Sequence, residues 1–243
     1  MQFSLVEMWK QMGWPARTVV IVLVIMSVYF VATAIERLIT FVKARSLSLQ
    51  FVLKLRDTLK LRDVKKALAA AKEPPQSPIA RVVAAALDEY SEGLEALAKQ
   101  GNADLGEFDI VDAVNRAIER VKEREIADLR RGLSGLATIA SAAPFVGLLG
   151  TVMGIITAFQ MMATQGGGLN AVAGGISEAL VTTAFGLLVA IPSVMVFNYF
   201  TNRVDDFVVD MNDVSSELIS FVLKEEGAAA APEKEAKAAT KGK

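Results

Sequence analysis

Three long apolar runs interrupt a mixed pattern of hydrophobic and charged positions along this chain of 243 residues. They cover residues 18–35, 133–164 and 172–199, and the first contains no charged side chain. A helix rises about 1.5 Å per residue, so each run can cross a hydrocarbon core of about 30 Å, the first with slight snorkelling at its ends. The pattern therefore predicts three transmembrane helices.

The first run has a second interpretation, a cleaved signal peptide, because Ala32, Thr33 and Ala34 resemble a cleavage site. The run is longer than an ordinary signal-peptide core of roughly 7–15 residues. Glu7 also interrupts the basic region that would precede such a core. We therefore prefer a retained transmembrane helix.

Residues 38–131 alternate apolar and charged positions with the spacing of amphipathic helices. Three prolines between positions 74 and 78 and a glycine-bounded turn at 101–106 divide this block. From Glu107 an apolar stripe runs without Gly or Pro as far as Gly132, which predicts one helix continuing from the cytosol into the membrane. Behind the third run the helical pattern continues to about Leu223 and gives way to a tail of mainly Ala, Lys and Glu.

These patterns predict an all-α membrane protein with three transmembrane helices and long cytoplasmic helical extensions. Cytoplasmic loops are enriched in Lys and Arg, and such residues flank the block after the first run, whereas the connection between the second and third runs has none. The N-terminus is therefore predicted outside and the C-terminus in the cytoplasm. The predicted segments are a periplasmic N-terminal segment (1–17), transmembrane helix 1 (18–37), a cytoplasmic helical domain (38–131), transmembrane helix 2 (132–164), a periplasmic hairpin (165–171), transmembrane helix 3 (172–202), a cytoplasmic C-terminal helix (203–226) and a disordered tail (227–243).

Composition excludes several classes of function. The 26 basic and 27 acidic residues balance, so there is no basic excess of the kind that nucleic-acid binding needs. The sequence has no Cys and no His, which removes disulfides, thiol nucleophiles, Ser-His-Asp catalysis and the commonest metal ligands. An intramembrane hydrolase would need Lys or Glu as its base, and no Lys lies in any run. We expect no enzyme activity, no catalytic residue, no metal and no cofactor.

Glu178 is the one Asp, Glu, Lys or Arg side chain between Arg131 and Arg203. A charged side chain at the centre of a bilayer costs roughly 2.5–3.5 kcal/mol on insertion scales, and such groups generally face a pore or a bundle interior. Desolvation favours the neutral acid, whereas water or an approaching cation favours the anion. A carboxyl poised between these states can take up a proton on one side and release it on the other. The alternative is a structural Glu that stays protonated and bonds a neighbouring hydroxyl.

Hydroxyl side chains surround this position in the helical pattern. Residues three or four apart share a helix face, so Thr182 and Ser193 lie on the strip of Glu178, together with Gly186 and Val189. We expect a polar lumen from the combined set, while a hydroxyl bonded back to its own helix is the alternative for each residue. The other hydroxyls of the set are Thr183 beside the strip and Ser134, Thr138, Ser141 and Thr151 on the second run.

Prolines and glycines indicate where these helices bend and touch. Pro144 and Pro192 lie inside the second and third runs, where neighbouring helices can satisfy the freed carbonyls. Gly150 and Gly154 have the spacing that lets two backbones approach closely. A nucleotide-binding loop is the other interpretation, but it lacks the Lys and acidic partner that such a loop needs. The expected packing and bending residues are Pro144, Gly147, Gly150, Gly154, Gly186 and Pro192.

Two segments carry a family resemblance. Residues 144–154 read PFVGLLGTVMG and residues 175–187 read GISEALVTTAFGL, followed by Ala190, Ile191 and Pro192. These segments resemble the second and third spans of the MotA/TolQ/ExbB proton-channel family, and the three-span layout is closer to the ExbB/TolQ type than to the four-span MotA type. The resemblance implies a pentamer of this chain around two copies of a single-span partner of the ExbD/TolR type, which carries an essential Asp.

The resemblance further implies that Glu178, Thr151 and Thr183 line the ion path near that Asp; Thr182, from the helical strip, completes our candidate set. We therefore expect an ion-conducting stator or motor subunit of the bacterial inner membrane, which turns proton-motive force into work on an envelope machine. TonB-type import, Tol-type envelope maintenance and gliding motility are the machines considered. A proton is the expected ion, although the threonine hydroxyls could help bind sodium. The alternative is a non-conducting membrane scaffold that recruits partners through its cytoplasmic helices.

Overall fold

The structure is a computed structural model that describes residues 9, 12–60, 64–73, 77–100, 110–165 and 169–241. Its described residues contain no strand, which confirms the predicted all-α class. Three helical stretches, Trp14–Leu55, Ile110–Ala163 and Val172–Lys224, are long and apolar enough to cross a membrane, as predicted. The helices of the described ranges are α1 (Trp14–Lys60), α2 (Val64–Lys72), α3 (Pro78–Gln100), α4 (Ile110–Arg130), α5 (Leu133–Gln165) and α6 (Leu169–Lys241).

The chain divides into two compact units. The first, which we call the apolar unit, comprises Met1–Leu38 and Arg131–Asn202. Its core is small and is shared by α1, α5 and α6, while many of its large apolar side chains face outward: Ile25 is 63% exposed, Val28 64% and Leu188 69%. Such an apolar exterior is typical of a membrane-embedded surface, because lipid covers it at no hydrophobic cost. The core residues are Val19, Leu23, Ile139, Ala143, Val189 and Ala190.

The second unit, which we call the amphipathic unit, comprises Ile39–Arg130 and Arg203–Lys243. Here α2 packs along α3, and α3 packs along α4. Their apolar residues recur every three or four positions, so that each helix buries one stripe and leaves most of its charges exposed. Ser77 precedes α3 and accepts a hydrogen bond from the Ala80 N–H at 3.1 Å, an N-cap that begins the helix where the predicted proline break ends. The largest fully buried side chains of this unit include Phe51, Leu55, Leu87, Ile118, Met211 and Leu218.

One expectation about helix continuity is wrong. The stripe that begins near Glu107 does not enter the membrane as a single helix, because α4 ends at Arg130 and α5 begins at Leu133. Between them Gly132 adopts a φ of 79°, the left-handed conformation that commonly ends a helix and that glycine adopts without steric cost. Residues 101–109, which include the start of the predicted stripe, lie outside the described ranges.

Two other boundaries differ from the expectation. α5 extends to Gln165 and α6 starts at Leu169, so only residues 166–168 of the predicted 165–171 hairpin lie between helices, and these are outside the described ranges. α6 also continues to Lys241, through most of the tail predicted as disordered at 227–243. Ala, Lys and Glu dominate this tail and are among the strongest helix formers, which accounts for the continuation.

Candidate functional site

Glu178 lies on α6 and contacts the beginning of α1. Its Oε1 accepts a hydrogen bond from the backbone N–H of Gly13 at 2.9 Å. Gly13 directly precedes α1, and its carbonyl accepts the Arg17 N–H at 3.1 Å, so Gly13 is the N-cap of the helix. The carboxyl thus occupies the N-terminal end of α1, where the helix dipole carries partial positive charge.

Arg17 lies in the first turn of α1. Its backbone N–H donates to the carbonyl of Gly13, the residue whose own N–H bonds Glu178. Its guanidinium carbon lies 5.9 Å from the centre of the Trp9 ring, a cation–π distance. Sequence reasoning placed Arg17 in the N-terminal segment and missed both it and Gly13. The available signal was a cation in a helix's first turn, where the dipole disfavours it unless an anion is near.

Thr151 and Thr183 are brought together across α5 and α6. Their Oγ1 atoms lie 2.9 Å apart, and Thr183 Oγ1 is also 3.1 Å from the Gly147 carbonyl oxygen, while Thr151 Oγ1 is 2.8 Å from that of Leu148. Each hydroxyl has one proton to donate. When one hydroxyl donates to the other, only one of the two carbonyls can receive the remaining proton. The pair therefore has two hydrogen-bond arrangements. In one, Thr151 donates to Thr183 and Thr183 donates to the Gly147 carbonyl; in the other, Thr183 donates to Thr151 and Thr151 donates to the Leu148 carbonyl.

Four of the remaining hydroxyls are engaged within their own helices. Thr182 is fully buried and donates to the Ala179 carbonyl at 2.7 Å, and Ser193 is fully buried and donates to that of Val189 at 2.7 Å. On α5 the exposed Thr138 and Ser141 donate to the carbonyls one turn before them. Thr182 and Ser193 therefore lie within the helix packing of one chain, whereas Glu178 on the same strip is half-buried.

Small residues bring α5 and α6 into backbone contact. A Cβ added at Gly186 would lie 2.7 Å from the Ala143 carbonyl oxygen, and one added at Gly147 would lie 3.0 Å from that of Thr182. A Cβ at Gly150 would lie 2.5 Å from Thr182 Oγ1, and one at Gly154 would lie 3.0 Å from the Ala179 Cβ. Bulkier residues at these positions would separate the two helices that carry the hydroxyl pair and Glu178.

The two prolines lie within helices. Pro144 is half-buried inside α5, and Pro192 is exposed inside α6. Pro144 follows Ala143, whose carbonyl contacts Gly186, so it sits at the close approach of α5 and α6. Neither proline ends its helix, in agreement with the tolerance of proline in membrane-crossing helices.

A carboxyl held among apolar, membrane-crossing helices defines a multi-pass membrane protein with an ionisable site. Residues 75–213 match the MotA/TolQ/ExbB proton channel family. The chain is also 30% identical over 209 residues to the biopolymer transport protein ExbB of Neisseria meningitidis, a match that covers 82% of this chain and 88% of the relative. The chain belongs to the MotA/TolQ/ExbB family, as its spans indicated.

Other relatives match over shorter segments. The biopolymer transport protein ExbB of Xanthomonas campestris is 44% identical over 108 residues, which are 41% of this chain and 43% of that protein. The Tol-Pal system protein TolQ of Haemophilus influenzae is 39% identical over 125 residues, 51% of this chain and 54% of that protein. These matches span about half the length of the relatives. The family and the three apolar helices together indicate a multi-pass inner-membrane protein.

Proposed function

We propose that this chain is the proton-conducting subunit of an inner-membrane complex that drives a TonB-type or Tol-type envelope machine. Glu178 carries the proposal, because it is the one Asp, Glu, Lys or Arg side chain between Arg131 and Arg203 and lies in the family-matched region. The names of the relatives, biopolymer transport protein ExbB and Tol-Pal system protein TolQ, support the choice of machines. Gliding motility remains a third candidate machine that rests on the family resemblance.

The chemistry follows from two states of one carboxyl. As an anion, Glu178 is stabilised by the Gly13 N–H at the N-terminal end of α1, where the helix dipole carries partial positive charge. A proton that reaches it cancels the charge and with it most of this attraction, so that protonation and the position of the side chain are coupled. Each proton that crosses supplies about 2.3 kcal/mol per 100 mV of membrane potential.

The Thr151–Thr183 pair supplies the second element of the proposed path. Because the pair has two hydrogen-bond arrangements, a proton that arrives at one end can reverse both bonds and appear at the other end. Thr182 donates inside its helix, so in this conformation its proposed role is to hold α6 against Gly150. The same threonine oxygens are the ligands that a sodium ion would use.

The assembly belongs to the proposal as well. The resemblance suggests a homopentamer around two copies of an ExbD/TolR-like single-span partner with an intramembrane Asp, which would face Glu178. The exposed apolar side chains of the apolar unit would then contact neighbouring subunits and lipid. The positive charges suggest a periplasmic N-terminus and a cytoplasmic C-terminus.

Replacement of Glu178 by Gln tests the proposal, because Gln keeps the shape and removes the titratable group. With the partner co-expressed and the complex reconstituted in liposomes, we expect Glu178→Gln to lower proton flux at least roughly tenfold while the complex still co-purifies. The matched control is Glu123→Gln, at an exposed position of α4. Unchanged flux and unchanged function in cells would favour the alternative, a non-conducting scaffold that recruits partners through its amphipathic helices.

The identity of the ion is tested separately. The proposal predicts that wild-type flux persists in sodium-free buffer and follows the proton gradient. A collapse of flux in that buffer, restored by added sodium, would contradict the proton and assign the threonine oxygens to sodium binding.

A further inference from the structure

The hydrogen bond between Gly13 and Glu178 joins two helices that are far apart in the sequence. We propose that Gly13 is a positioning residue for Glu178: its backbone N–H holds the empty carboxylate at the N-terminal end of α1, and this contact loosens when the carboxyl carries a proton or another cation. The N-terminal end of α1 then acts as a latch that closes on the anion. The inference rests on the proposed function for its role in transport, whereas the latch itself is testable without transport.

The geometry of the contact is the first step. Gly13 directly precedes α1; its N–H donates to Glu178 Oε1 at 2.9 Å, and its carbonyl accepts the Arg17 N–H at 3.1 Å. In a capping box, the N–H of the N-cap residue is satisfied by a Glu in the first turn of the same helix. Here a residue 165 positions away takes that place, so α6 holds the end of α1 at one defined point.

The strength of this bond depends on the charge of the carboxyl. A hydrogen bond to an ionised acceptor is roughly twice as strong as one between neutral groups, and the N-terminal end of a helix favours an anion further. Loss of the charge on Glu178 removes both contributions and leaves a neutral hydrogen bond. The carboxyl alternates between these two states in the proposed transport cycle, so the attachment of α1 alternates with it. By linkage, displacement of the end of α1 changes the affinity of Glu178 for its ion by the same factor.

The surroundings of Gly13 show which part of the contact can move. A Cβ added at Gly13 would lie 3.6 Å from Pro15 Cδ, 3.8 Å from Thr157 Cγ2 and 3.9 Å from Glu178 Oε1, which are ordinary van der Waals distances. A Cβ added at Gly186 would lie 2.7 Å from a carbonyl oxygen of α5. The end of α1 is therefore packed less tightly than the contact between α5 and α6, and it is the element that can separate from Glu178.

A spin label at the start of α1 tests the latch. Trp14 is 78% exposed and the chain has no Cys, so Trp14→Cys provides a single attachment site for a nitroxide label. In the complex in nanodiscs, Glu178→Gln, which represents the neutral acid, should increase the mobile fraction of the label. Gly13→Pro removes the N–H and should give a mobile label whichever residue is at position 178. An effect of Glu178→Gln that persists undiminished after Gly13→Pro would overturn the inference.

Two further variants separate the lost N–H from a change in local shape. Gly13→Ala keeps the N–H and fits the available space, so the mobility of the label should still depend on the residue at position 178. Glu123→Gln removes a carboxylate from an exposed position of α4 and should leave the label unaffected. Arg17 is unchanged in every variant, so its charge is the same throughout. Loss of the dependence on position 178 in Gly13→Ala, or an equal effect of Glu123→Gln, would overturn the inference.

A reversible crosslink tests whether the latch opens during transport. A Cβ at Gly13 would lie 3.8 Å from Thr157 Cγ2, so cysteines at both positions come within reach of a disulfide, which joins Cβ atoms about 3.5–4.5 Å apart. With Gly13→Cys and Thr157→Cys in the reconstituted complex, oxidation should lower proton flux roughly tenfold, and a reductant should restore it. Full flux after complete crosslinking would overturn the inference. Failure of the disulfide to form would also overturn it, because the end of α1 would not approach α5.

The matched control is a crosslink inside the amphipathic unit. A Cβ at Gly93 would lie 3.5 Å from Ile110 Cγ2, so Gly93→Cys and Ile110→Cys join α3 to the start of α4. Oxidation of this pair should leave proton flux unchanged; an equal loss of flux would overturn the inference, because the effect would not be specific to α1. If the wild-type complex conducts no ions, the proposed function fails, and the spin-label comparison still decides the latch.

Discussion

The contacts inside the apolar unit differ in kind from the contacts inside the amphipathic unit. In the apolar unit, α5 and α6 meet backbone to backbone, and a Cβ at Gly186 would lie 2.7 Å from a carbonyl oxygen of α5. In the amphipathic unit, the buried contacts are made by large side chains such as Phe51 and Met211. The difference reflects the solvent: water drives large apolar groups together, whereas lipid provides no such drive and close van der Waals contact must replace it.

Buried polar groups are satisfied in the same two ways in both units. Thr182 and Ser193 of the apolar unit donate to carbonyls of their own helix, as does the buried Ser215 of the amphipathic unit. Buried charges are paired with an exposed partner. In the amphipathic unit the Glu125 side chain is 5% exposed, and its Oε2 lies 2.6 Å from a guanidinium nitrogen of Arg81, which is 44% exposed. In the apolar unit the buried Arg37 pairs with the exposed Glu36.

The largest expected effect is the loss of a large buried side chain from the amphipathic unit. Phe51 is 1% exposed, so Phe51→Ala should lower the free energy of unfolding by about 3–5 kcal/mol through lost burial and a cavity. Leu53 is 68% exposed on the same helix, and Leu53→Ala should change the free energy of unfolding by no more than about 0.5 kcal/mol. Chemical denaturation of the full-length protein would measure both; similar losses would contradict a side-chain core in this unit.

A smaller effect is expected from one added methyl group in the apolar unit. Gly186→Ala places a Cβ against backbone atoms that cannot rotate away, and should cost about 1–3 kcal/mol. Gly174 is the control, because an added Cβ there meets no described atom within 4 Å. Gly174→Ala should be neutral or slightly stabilising, since Ala favours the helix. Thermal unfolding in nanodiscs measures the difference, and an equal effect at both glycines would contradict backbone packing.

The smallest expected effect is a pH dependence of the free energy of unfolding, which arises from the buried carboxyl of Glu125. Burial raises the pKa of the Glu125 carboxyl above its usual 4.5, and the positive charge of Arg81 opposes that shift. Between 4.5 and the raised pKa the folded state binds more protons than the unfolded state, so stability falls as pH rises through this window. Unfolding free energies measured from about pH 4 to pH 8 should show this fall in the wild type and lose it in Glu125→Gln.

The variant Arg81→Gln tests how much the Arg81–Glu125 pair contributes to the stability measured in the same experiment. Without the guanidinium, the buried carboxylate loses its counter-charge, and stability near neutral pH should drop by a further amount of about 1–2 kcal/mol, modest because Arg81 is partly hydrated. The exposed Arg120→Gln change should leave the pH profile unaltered. A profile of Arg81→Gln that matches the wild type would show that the pair does not contribute.

Several details of the fold were predictable and were missed. Gly132 follows an amphipathic stripe that ends in Arg130 and Arg131, which is the ordinary pattern of a helix C-terminus followed by its glycine cap. The expectation of one continuous helix ignored this signal. Helical spacing places Glu125 among the charged positions beside the apolar stripe, but it does not show that a neighbouring helix carries Arg81 at the same level.

The order of residues determined the all-α class, the three apolar helices and the importance of Glu178, because a run of apolar residues and a solitary carboxyl are properties of consecutive positions. Tertiary structure decided which groups this carboxyl meets. The N–H of Gly13 lies 165 positions from Glu178, in a segment with no predicted role in the site. Such partners depend on how helices cross, and crossing is set by the shapes of many side chains at once, which periodicity along one helix does not contain.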